Sequence, residues 1–70
     1  MNDNQINAAE RIKALKSALV NLRVRLDDVT TDLGRTPGNT RLVTQRVNLM
    51  KSIMQAQAEI DRLRSDLAER

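Results

Sequence analysis

Seven apolar residues, Ile12, Leu15, Leu19, Leu22, Leu26, Val29 and Leu33, recur at spacings of 3, 4, 3, 4, 3 and 4. That rhythm is the a/d seam of a heptad repeat, the stripe one helix buries against another. The second half carries the same rhythm in Leu42, Leu49, Ile53, Ala56, Ile60, Leu63 and Leu67, with Arg46 at the one seam position that is not apolar. No Gly or Pro interrupts either run. The spacing predicts helices over residues 4–33 and 40–68, each on the order of 40–45 Å long at 1.5 Å per residue.

The two seams mirror each other. Leu33 pairs with Leu42, Leu26 with Leu49, Leu22 with Ile53, Leu19 with Ala56, Leu15 with Ile60, Ile12 with Leu63 and Ala8 with Leu67, and the numbers in every pair add to 75. The mirror therefore lies between Pro37 and Gly38. Two seams in register about one turn specify a single all-α domain, residues 1–70, folded as an antiparallel, coiled-coil-like two-helix hairpin with its turn at 34–39. Val29 faces Arg46 across the seam, where the arginine can lay its stem along apolar surface and lift its head to water. The turn has fitting chemistry. Gly34 suits the left-handed position that ends a helix, and Pro37 biases Thr36 away from helical geometry. Asn39 or Thr40 can cap helix 2, and Asp3 or Asn4 can cap helix 1.

A hairpin needs only its seam, yet more apolar residues follow. Val43, Val47, Met50 and Met54 are spaced 4, 3 and 4 and fall within about 60° of one another on a helical wheel. Against the heptad, Val43 and Met50 occupy e and Val47 and Met54 occupy b. Helix 1 adds Val20 at b and Val24 at f. In an antiparallel pair e flanks e, so one broad side of the hairpin, in its loop-proximal half, is expected to be apolar. A contiguous patch of that kind marks an interface. Below about 70–80 residues a lone core supplies little stability, and this 70-residue chain has no cysteine for a disulfide. Self-association is the remaining staple, with two hairpins packing as a four-helix bundle. The same patch suits docking of another protein in helix-in-groove fashion.

Composition narrows the chemistry. There is no histidine, cysteine or aromatic residue. The commonest general base and metal ligand are missing, as is the usual platform for stacking single-stranded bases. Ser17, Ser52 and Ser65 have no histidine to activate them, and Asp27 and Asp28 point about 100° apart on a helix. The glycines of GRTPGNTR sit four apart with no lysine after them, which is not the phosphate-cradling pattern. The reading is a non-enzymatic chain with no catalytic residue, metal or cofactor. A polar N-terminus and the lack of any ~18-residue apolar run lead to the expectation of a cytoplasmic protein without a membrane partner.

Charge leaves one further surface. The net +3 is concentrated at residues 34–58, which hold Arg35, Arg41, Arg46 and Lys51 and no acid. With Arg23 these form a candidate basic contact surface for nucleic acid, partly neutralised if Asp28 and Asp32 lie beside Arg41 and Arg46. The helices are too long and too nearly side by side for a helix-turn-helix reader. In layout the chain resembles the Rop-like plasmid copy-number regulators, hairpins that dimerise into four-helix bundles. That resemblance implies binding to paired RNA loops, but the aromatic residue of their RNA-binding surface has no counterpart here. Short, arginine-rich, cysteine-free helical chains also resemble phage- and plasmid-encoded regulators that block a host transcription factor or motor ATPase. The leading expectation is a homodimeric protein-interaction module of that inhibitory or modulating type. The alternatives are an RNA- or DNA-binding regulator and a structural coiled-coil subunit of a larger assembly.

Overall fold

The structure is a computed structural model that describes residues 3–68, with side chains from residue 6 to residue 68. It contains two helices, α1 (Asp3–Arg35) and α2 (Thr40–Ala68), joined by a four-residue turn. They run antiparallel as a rod of 52 × 15 × 13 Å. Thirty-three residues at about 1.5 Å each account for that length. The radius of gyration is 15.9 Å, against about 11 Å for a compact domain of this size.

The seam packs as the spacing predicts. Ile12, Leu19, Leu33 and Ile60 are buried, and the other apolar seam residues are half-buried. Ile12, Leu19 and Ile60 form one cluster, with Leu15, Ile53, Ala56, Leu63 and Leu67 packed against it. All of this lies in the loop-distal two thirds of the hairpin. Arg46 is exposed, as expected for a charged head at a seam position. Around it the seam stays open: Leu22, Val29 and Leu49 line a groove with Arg25, Gln45 and Ser52. These polar residues occupy the g positions, so this is the g side of the hairpin.

The turn differs from the sequence expectation at Gly34. The glycine lies inside α1, and no glycine among the described residues has a positive φ. Helical hydrogen bonding persists to Thr36, whose N–H donates to the Asp32 carbonyl at 3.0 Å. The Thr36 hydroxyl donates to the same oxygen at 3.1 Å. What ends the helix is Pro37, which has no N–H to continue the ladder. The Asn39 N–H then donates to the Thr36 carbonyl at 3.1 Å, closing a turn with Pro37 and Gly38 at its centre. With φ not positive at Gly38, the turn is of the type I class that accepts most residues there. Asn39 is the cap of α2: its side-chain oxygen accepts from the Leu42 N–H at 3.3 Å and its carbonyl from the Val43 N–H at 3.1 Å. The Asp3 and Asn4 side chains, the expected caps of α1, lie outside the described residues.

The expected neutralisation of the basic stretch does not form. Among the described residues the ion pair within 4 Å is Arg11–Glu59, at 2.9 Å, and neither Asp28 nor Asp32 comes that close to Arg41 or Arg46. The register explains it. Arg11 and Glu59 are both g residues, and g flanks g in an antiparallel pair. Arg41 is at c, Asp28 at c and Asp32 at g, and the g residue of α2 nearest in level to Asp32 is the uncharged Gln45.

Candidate functional site

The six residues that the sequence singles out as a second apolar face are all exposed to solvent in the hairpin. Val43 is 38% exposed, Val47 42%, Met50 48%, Met54 70%, Val20 60% and Val24 57%. The four on α2 follow its e and b positions and make one stripe. From Val43 to Met54 the stripe runs about 16 Å along the helix. It starts one turn after the Asn39 cap, so the turn fixes its distance from the tip.

The e positions of the two helices do share a side. Lys16 and Arg23 of α1 and Gln57 and Arg64 of α2 line one shallow groove with Val20. All four of these polar residues are e positions; Lys16, Gln57 and Arg64 lie toward the loop-distal end from Met54, and Arg23 lies level with the stripe, between Met50 and Met54. Val20 therefore belongs with the α2 stripe. Val24, at f, is the position furthest from the seam and lies on the outer back of α1. The Gln57 amide donates to the Asp61 carboxylate at 3.1 Å, which holds one acid at the edge of this groove.

The expected basic surface is dispersed by the register. Arg35 is in the last turn of α1, where its charge complements the carbonyl end of the helix. Arg41 sits at c, Arg46 on the seam, Lys51 at f and Arg23 at e, so these five residues do not form one patch. Arg23 instead joins Lys16 and Arg64, neither of which stood out by charge density. The signal that could have found them was register, since all three occupy e.

The chemistry of this side is plain. Among the described residues no cluster of His, Cys, Asp or Glu is arranged to hold a metal ion, no buried side-chain polar atom lacks a partner, and no helix is long and apolar enough to cross a membrane. The e side offers an apolar stripe near the loop and a cationic groove away from it. No protein-family model, curated protein or solved structure matches the chain.

Proposed function

We propose that this chain is a small, non-enzymatic interaction module of the cell interior. It is a helical hairpin that pairs with a second copy and acts by binding another protein, which it blocks or bridges. The observation that carries this reading is the stripe Val43, Val47, Met50 and Met54, exposed along α2 on a face that the hairpin's own seam does not use. A contiguous apolar helix face outside the seam is the kind of surface that marks an interaction site. Two methionines in the stripe suit a contact surface that adapts to its partner.

Sedimentation of the free protein tests the pairing, and a well-folded monomer at micromolar concentration removes it. Val47→Asp together with Met50→Asp should dissociate the pair and lower its melting temperature. Affinity capture from the source cell, with and without nuclease, tests the second partner. Nuclease-resistant recovery of one protein supports the reading.

The cationic groove of Lys16, Arg23 and Arg64 favours a second reading, a Rop-like nucleic-acid binder. Such binding would weaken steeply between about 50 and 200 mM salt and would disappear with nuclease.

A further inference from the structure

We propose that the second copy docks on the α2 stripe in a staggered, antiparallel arrangement, with the two-fold axis passing between Asn48 and Leu49. The inference rests on the self-pairing reading above and adds its geometry. The spacing 4, 3, 4 is a palindrome. A two-fold axis at its midpoint sets Val43 of one copy opposite Met54 of the other, and Val47 opposite Met50. Such an interface is isologous, one patch meeting itself. Every layer then holds one valine and one methionine. The exposures are complementary in the same sense: Met54, the most exposed at 70%, reaches toward Val43, the most recessed at 38%. A parallel pairing would stack valine on valine and methionine on methionine, with unequal gaps.

Charge on the neighbouring helix agrees. The axis meets α1 between Leu26 and Asp27. It brings Arg23 of one copy level with Thr30 of the other, about one turn from that copy's Asp27. Each Asp27 carboxylate thus has an Arg23 on its own helix and another across the axis. On α2, Arg41, Arg46 and Lys51 sit at c, a and f, off the contact face, so like charges do not meet there.

The area is consistent with a second copy. At roughly 150–200 Å² of surface per Val or Met residue, the exposed fractions of Val20 and the stripe amount to about 400–500 Å² per copy, against about 800 Å² per partner in a standard interface. Arg23, Asp27, Thr30, Thr40 and Gln57 supply the polar rim that makes up the difference.

The stagger has a measurable consequence. The tip of the hairpin lies eleven residues from the axis, so the copies overlap over about 33 Å of their 52 Å length, and the dimer is about 70 Å long. A fully overlapped bundle would be about 52 Å long and centred near Met54. The staggered dimer leaves the loop-distal ends protruding, with Arg64 beyond the overlap and Lys16 at its edge, so each cationic groove stays open at its outer end.

The chain has no cysteine, so introduced thiols report cleanly. Differently tagged Val43→Cys and Met54→Cys variants, mixed and mildly oxidised, should form the mixed disulfide. Each variant alone should not, because like positions lie about 16 Å apart, beyond the ~7 Å Cα reach of a disulfide. Efficient crosslinking of Met54→Cys alone but not of Val43→Cys alone would establish the fully overlapped bundle, and crosslinking of each variant by itself the parallel one; either overturns the stagger while leaving the dimer. Small-angle scattering on the unaltered chain gives an independent reading, with a maximum dimension near 70 Å supporting the stagger and one near 52 Å from a sedimenting dimer overturning it. A monomer in sedimentation overturns the pairing itself, and the stagger with it.

Discussion

Replacing Gly34 with alanine should stabilise this protein, and the sign of the effect tests how α1 ends. Gly34 lies within α1, its φ is not positive, and a Cβ built on it meets nothing within 4 Å. Alanine therefore adds no clash and removes the entropic cost of a glycine held helical, about 1 kcal/mol in a helix interior. The site is near the helix end, which reduces the gain to about 0.5–1 kcal/mol. At about 4–8 °C per kcal/mol for a domain of this size, the melting temperature should rise by about 2–8 °C. Far-ultraviolet circular dichroism melts, run at one protein concentration because any self-association would couple to stability, measure this directly. If Gly34 instead held the left-handed geometry that ends many helices, an L-alanine there would cost about 1–2 kcal/mol. A fall in melting temperature, or stabilisation by D-alanine but not by L-alanine, would refute the reasoning and place the end of α1 at Leu33.

Other changes probe the remaining contacts. Ile60→Ala empties the most buried position, 1% exposed, and at about 2–5 kcal/mol should unfold most of the hairpin at room temperature, read as lost helical ellipticity. Asn39→Ala removes the α2 cap seen at 3.3 Å. It should cost about 1 kcal/mol in urea unfolding, and Asn39→Asp should recover most of it. A double-mutant cycle on the exposed Arg11–Glu59 pair should give a coupling of under about 1 kcal/mol, falling as salt is raised; a salt-insensitive coupling would show that packing of the arginine stem is responsible. If the proposed stagger holds, Lys16→Ala with Arg64→Ala should leave self-association unchanged, since both residues would lie at or beyond the edge of the overlap, and a loss of dimer on sedimentation would show otherwise.

The hairpin could be read from the chain because helical periodicity and the mirror about Pro37–Gly38 are one-dimensional patterns. Every described apolar residue that is buried or half-buried in the hairpin is a seam residue or Ala8, the mirror partner of Leu67. The stripe was legible for the same reason: residues spaced 4, 3 and 4 apart and placed at e and b cannot also face the seam. Local signals were weaker where two of them competed. Gly34 and Pro37 both offer an end to α1, and only the hydrogen bonds from Thr36 to Asp32 and from Asn39 to Thr36 decide for Pro37.

The sequence by itself determined which faces exist, how far each lies from the turn, and that both helices have apolar residues to spare. Tertiary structure decided which charges meet. Charge density along the chain pointed to residues 34–58, but neighbours in space follow register across two helices, and that pairs Arg11 with Glu59 and gathers Lys16, Arg23 and Arg64 into one groove. The physical reason is range. Apolar burial follows from the period of a single helix, whereas an ion pair needs two atoms within a few ångströms, a condition that only the antiparallel alignment of α1 on α2 sets.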